Sequence, residues 1–260
     1  MGFNKRLISQ ADGEAIGDRV LSVSNSTQIA TVPKPGTYNG YCRGMAFYNG
    51  TVYSVESQYD TSNLLSTYIR KRNTSGGLIS SYIIHSEAWG GVPYLGGAPD
   101  GIFVDNNGNI YVGDEKDNIN SNAELRKYNN SGVFQSKFSI VSNFYFAGLA
   151  YDTDRNYFFH GRHSNNTVYV KDLSGATQSS FNSGGEPNYL FYAENQLFRV
   201  SFSGSNATLT PYDIQLGSLE PSITVTGNNY FSASSCYDSA NGYLFHARNE
   251  RLYRSDVTIG

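Results

Sequence analysis

Apolar and polar residues alternate along most of the chain in short runs of roughly four to eight, which is the period-2 pattern of strands half-buried in a sheet. No apolar stripe with helical spacing stands out, so long helices are not expected. The clearest run is PDGIFVDNNGNIYVGD, Pro99 to Asp114. It reads as strand, turn, strand, with Asn107-Gly108 supplying the left-handed backbone that a short hairpin needs. Looser copies begin at Arg43 (RGMAFYNGTVYSVE), Ala147 (AGLAYDTDRNYFFHGR), Pro187 (PNYLFYAENQLFRVS) and Ala233 (ASSCYDSANGYLFHAR).

Several of these hairpins are followed by a second pair of runs. TYIRKRNTSGG and LISSYII follow the Arg43 copy, ELRKYNNSG and VFQSKFSI the Pro99 copy, and TVYVKDLSG and ATQSSF the Ala147 copy. The repeating unit is therefore four strands, A to D, recurring every 40 to 57 residues or so. Four antiparallel strands per repeat is the blade of a β-propeller, in which ring closure removes exposed sheet edges. Strand A starts near Gly44, Gly101, Gly148, Tyr189 and Ser234. The last copy has A, B and a C strand (RLYRSDV, Arg251 to Val257) but no D. A lone D-like run, TQIATVPKP (Thr27 to Pro35), precedes the first copy. The expected fold is all-β: a five-bladed β-propeller over residues 21–260, its last blade closed by an N-terminal strand, with residues 1–20 as an arm. The alternative is six blades, with RVLSVS (Arg19 to Ser24) in an irregular extra blade.

The Pro99 copy resembles the NHL and gluconolactonase-like propeller repeat over about 16 residues, and the other copies resemble it loosely. Gluconolactonase-like enzymes hold one divalent metal at the axis with a Glu, an Asn and an Asp at inner-strand starts. The resemblance places Asp100 at the Asp position and Asn188 at the Asn position. No Glu heads an inner strand, because Arg43, Ala147 and Ala233 precede the other starts. With two of three ligands, in a different chain order, the match is broken, and Asp100 and Asn188 read as turn caps entering strand A. GFNKRLIS, near the N-terminus, resembles the openings of some tailed-bacteriophage virion proteins. That resemblance implies an arm, residues 1–20, docking on other protein chains of an assembly.

Composition narrows the function classes. Only 16% of the 260 residues are charged, against 21 Tyr and 15 Phe, and the net charge is −3. No basic cluster offers the counterion-release attraction that nucleic acid needs. No run is long and apolar enough for a membrane helix, and no apolar leader is present. A cytoplasmic or virion-assembled chain is expected. The two cysteines, Cys42 and Cys236, read as buried thiols rather than a bridge. No nucleophile, zinc-binding or phosphate-binding motif occurs. No cofactor is expected, unless a divalent metal fills the gluconolactonase-like set.

Candidate binding residues lie on one face. The D–A connection HSEAWGGVPYLGGAPD (His85 to Asp100) carries the single Trp, Trp89, with Tyr94. Flat apolar rings beside fixed polar groups suit a glycan or a protein surface. The alternative is that Trp89 plugs one end of the channel. FFHGR and LFHAR place His160 with Arg162, and His246 with Arg248, at matching positions at the end of strand B, and the first two copies have Glu56 and Glu115 at the arginine positions. Two imidazoles could serve a ligand; inter-blade hydrogen bonds and ion pairs are the other reading. DNNGN reads as the A–B turn rather than a calcium loop. The functions in view are a non-catalytic binding or structural propeller of a virion, a metal-dependent lactonase, and a lectin-like module.

Overall fold

The computed structural model describes residues 21–33, 39–60, 63–84, 99–114, 123–141, 146–162, 166–187, 189–193, 195–203, 206–214, 218–219, 222–225, 235–248 and 250–259. The first strand, β1 (Leu21–Thr31), does not join the strands that follow it. Blade one is β2 (Asn39–Tyr48), β3 (Thr51–Asp60), β4 (Asn63–Asn73) and β5 (Leu78–Ile83); blade two is β6 (Pro99–Val104), β7 (Ile110–Asp114), β8 (Ala123–Tyr128) and β9 (Phe134–Val141). Blade three is β10 (Phe146–Asp152), β11 (Tyr157–Arg162), β12 (Thr167–Asp172) and β13 (Thr177–Asn182). Blade four is β14 (Tyr189–Ala193), β15 (Gln196–Ser203) and β16 (Asn206–Asp213), with a split outer strand, β17 (Ser218–Leu219) and β18 (Ile223–Val225). Blade five is β19 (Ser235–Asp238), β20 (Tyr243–Arg248) and β21 (Arg251–Ile259), and β1 pairs antiparallel with β21 to complete it.

The ring therefore has five blades, closed by the N-terminal strand. β1 starts at Leu21, earlier than the predicted Thr27, because Leu21 to Ser24 already pair with Ile259 to Asp256. That segment is the one the six-bladed alternative assigned to an extra blade. No helix among the described residues is long and apolar enough to cross a membrane.

The core is five wedges, one between each pair of neighbouring blades. Val55, Ile69, Ile102 and Val112 fill the wedge between blades one and two. Stacked rings of Phe103, Tyr111, Tyr151 and Phe158 fill the next. Val168, Leu190 and Leu197 lie between blades three and four, and Phe191, Leu209 and Leu244 between four and five. Val52, Cys42, Cys236, Phe245 and Leu252 lie between five and one. Each fully buried Val, Leu, Ile or Phe contributes about 1.5–3 kcal/mol. The inner strands crowd together at the axis. A Cβ on Gly44 would sit 2.9 Å from backbone atoms of Gly101 and Ile102 in the next blade, so only glycine fits that approach.

The A–B turns of blades two, three and five and the C–D turns of blades one, two and three are short and capped by their own Asp or Asn. Asp105 accepts from the amides of Asn107 (2.9 Å) and Asn109 (2.8 Å), so DNNGN is the A–B turn. Asp152 and Asp238 repeat the arrangement in blades three and five. Asn73, Asn129 and Asp172 cap the C–D turns in the same way. The Ser174 hydroxyl and neighbouring amides hold the Asp172 carboxyl below its ordinary range. At Asn107-Gly108 the left-handed residue is Gly108, in a turn that Asp105 organises, while Asn49-Gly50 (φ 47° and 74°) forms a two-residue turn in blade one.

Candidate functional site

The two faces of the ring differ in construction. On the A–B face, neighbouring turns bond to one another. The Tyr48 hydroxyl donates to the Asn106 carbonyl (3.0 Å), and Asn106 Nδ2 donates to the Thr153 carbonyl (2.6 Å). Arg155 Nη1 reaches the Tyr192 hydroxyl at 3.4 Å. Burial pushes the Tyr151 hydroxyl up to about 12, and Tyr111 and Tyr192 also rise, so these phenols stay protonated donors. The axial cavity, lined by Met45, Phe103, Leu149, Phe191 and Cys236 among others, measures about 60 Å³. That holds a few waters and is far below the size of a ligand pocket.

The opposite face receives the D–A and B–C connections. The D–A connection from β5 to β6 spans residues 84–98, that from β18 to β19 spans 226–234, and the B–C connection from β7 to β8 spans 115–122. By contrast the A–B turns occupy only 49–50, 105–109, 153–156, 194–195 and 239–242. All the long connections therefore rise from the face where inner strands begin.

Just inside this face runs a tier of polar side chains. His160 pairs across β10–β11 with Leu149 and across β11–β12 with Tyr169; His246 pairs likewise with Ser235 and Tyr253. The same rung holds Ser54 with Arg70, Val112 with Arg126, and Arg199 with Thr210. His160 and His246 are thus equivalent by register, as the repeat predicts. They lie in different wedges with a blade between them, and each ring stacks on its own cross-strand tyrosine (5.1 Å and 5.5 Å). Both are fully buried. Burial, with the Lys171 ammonium adding to it, holds the His160 imidazole neutral, down to about 3. His246 Nε2 lies 2.8 Å from Ser255 Oγ, which meets Ser26 Oγ of the closing strand at 2.6 Å.

Glu56 is bound within its own blade. It takes Arg70 and Arg72 from β4, while Ser54 Oγ donates to it at 2.7 Å. Glu124 similarly meets Arg126 (3.5 Å) and Lys137 (3.1 Å). These ion pairs lie within blades, where the repeat pattern had suggested pairs between them. The register also puts Asp114, not Glu115, at the blade-two position matching Glu56, two residues beyond Val112. Arg162 ends β11; Arg248 ends β20 and is half-buried. Arg126 and Arg199 share the histidine rung and were missed. The signal for Arg199 was present, since QLFRV aligns with YFFHG and YLFHA. Burial pulls the Arg199 guanidinium down.

Asp100 is the second residue of β6. Trp89, Tyr94 and Asn188 lie outside the described residues, as does the arm 1–20. Among the described residues no three His, Cys, Asp or Glu side chains group together as a metal site would.

No protein-family model and no curated protein sequence matches the chain. Solved structures do. A glutaminyl cyclase from Myxococcus xanthus superposes with a TM-score of 0.61 at 12% identity, covering 93% of this chain and 98% of its own. A gluconolactonase from Xanthomonas campestris gives 0.54 at 12% identity, covering 92% and 100%. A luciferin-regenerating enzyme gives 0.54 at 13% identity, covering 89% and 94%. The likeness of the first residues to phage virion proteins has no counterpart among these three. At such identities the similarity establishes the fold: this chain is similar to propeller enzymes in architecture over nearly its whole length.

Proposed function

We propose that the chain is a non-catalytic binding propeller that engages its ligand through the face carrying the D–A and B–C connections. The observation that supports this reading is the asymmetry of the ring. On one face the short A–B turns of blades one to four bond to their neighbours, and the long connections rise from the other. Connections on a rigid scaffold are where recognition concentrates. Trp89 and Tyr94, in the longest of them, supply the flat apolar surface that stacks on a sugar ring, and Asp100 follows at the start of β6. Residues 1–20 are the segment through which such a module would join other chains, as in a virion. Titration of the single tryptophan's fluorescence with a glycan panel tests the reading. A saturable change, lost in Trp89→Phe, is expected. A flat response to every glycan, with no change in hydrodynamic size on removing residues 1–20 from co-purified material, refutes it.

A metal-dependent lactonase is the second reading. It is favoured by Asp100 at an inner-strand start and by a gluconolactonase among the similar structures. The ion would be held by Asp100 and Asn188 with further oxygen donors, and would polarise a lactone carbonyl. Elemental analysis after dialysis, with lactone hydrolysis compared between parent and Asp100→Asn, decides it. No bound divalent ion and no hydrolysis would end this reading.

A further inference from the structure

We propose that Cys42 and Cys236 are a disulfide-forming pair that locks the ring across the seam between its first and last blades. Cys42 lies on β2, the inner strand of blade one, and Cys236 on β19, the inner strand of blade five. These two strands are neighbours at the seam. Neither cysteine is in a disulfide in this structure, the Cys42 thiol donating to the Gly44 carbonyl at 3.5 Å, and both are buried in one wedge with Val52, Phe245 and Leu252. They are close enough to act on each other electrostatically: burial pushes the Cys236 thiol well above its ordinary range, and charge on Cys42 pushes it further.

The placement is unusual in its leverage. Of the five wedges, this one joins the blades that come first and last along the chain. Elsewhere the blades follow one another directly, and here the ring is sealed by β1 pairing on β21. A bond between these sulfurs would enclose blades two to four and nearly all of blade one in one covalent loop, and a loop of that length removes much freedom from the unfolded chain.

The oxidant is a small-molecule disulfide such as oxidised glutathione. One cysteine thiolate attacks it, forming a mixed disulfide and releasing one glutathione thiolate. The second cysteine loses its proton to solvent and attacks the protein sulfur of that mixed disulfide, releasing the second glutathione. Two electrons and two protons leave the protein pair, and one glutathione disulfide becomes two thiols. Because the thiolate is the nucleophile and both groups are buried in the closed ring, the bond forms while the ring is assembling or when the seam opens.

The test is refolding. Reduced, unfolded protein is refolded in mixed reduced and oxidised glutathione, quenched by alkylation, and analysed by intact mass and non-reducing peptide mapping. The expected product carries no alkylatable thiol, yields a peptide linking Cys42 to Cys236, and melts roughly 5–15 °C above the reduced chain. Dithiothreitol should abolish that difference, and Cys42→Ala should never show it. A second arm starts from folded protein held with oxidised glutathione in denaturant below the unfolding midpoint, so that a refolding failure cannot obscure the answer. Both thiols persisting in this arm, or only glutathione-capped or intermolecularly linked cysteines, overturns the proposal.

Discussion

Glu56 is a buried carboxylate holding two buried arginines, and Glu56→Gln exposes its role. It is fully buried, and the arginines it holds, Arg70 and Arg72, are 7% and 4% exposed. Arg72 also donates to Ser54 Oγ at 2.8 Å, so one carboxylate and one hydroxyl organise two guanidinium groups. The glutamine keeps the volume and an acceptor oxygen but removes the only carboxylate that ion-pairs with either arginine among the described residues. Two nearly water-free positive charges then face each other. Removing one member of a buried ion pair costs about 3–5 kcal/mol, because the remaining charge is uncompensated. In a domain of this size each kcal/mol moves the midpoint by about 2–4 °C, so a fall of roughly 6–20 °C is expected. Thermal unfolding by circular dichroism reads it, with urea titration checking that the m-value is unchanged. Arg72→Met in the same background should return part of the loss by removing one orphaned charge. Lys137→Met is the control: Lys137 is 49% exposed where it meets Glu124, which keeps Arg126, and the cost should not exceed about 1 kcal/mol. A Glu56→Gln protein melting within about 2 °C of the parent would refute the reasoning.

Three further outcomes are expected. His160 is held neutral when folded, with its pKa at about 3, so the unfolded chain takes up a proton that the folded one refuses as pH falls below the ordinary histidine value. Stability should therefore drop between neutral pH and pH 3, by about 2 kcal/mol at pH 5; urea midpoints of His160→Gln should lack this component, and parallel pH curves for the two proteins would contradict it. Gly44→Ala pushes a methyl against the backbone of Gly101 and Ile102 and should cost about 1–3 kcal/mol in calorimetry; an unchanged melting temperature would mean that the inner strands separate freely. Deleting the chain through Thr31 bares the edge of β21, so light scattering should show concentration-dependent association; a monodisperse, equally stable product would argue against closure by β1.

The blade pattern was legible because each strand obeys a local rule. Alternation marked the A and B strands, and DNNGN marked one of the turns between them. β1 was only half legible: nothing in LSVSNSTQIAT says that its first residues pair with Ile259 to Asp256, more than 200 positions away along the chain. The outer strand of blade four went unseen because its two pieces, β17 (Ser218–Leu219) and β18 (Ile223–Val225), are too short for an alternation to register. Glu56 was placed correctly along its strand, but its partners depend on how β3 registers against β4, which one-dimensional spacing does not contain. The histidine rung emerged from repeat alignment. Arg126 did not, because blade two puts its charge on strand C, opposite Val112, rather than on strand B.

The pairing of Leu21 with Ile259 has a mechanical consequence. Force applied to the two chain ends pulls on the same extremity of one antiparallel ladder, so its bonds break one at a time, like a zipper. Tension entering through a connection elsewhere on the ring would instead load several rows together. A ring fastened this way yields softly when tugged by its ends and resists when gripped by its sides.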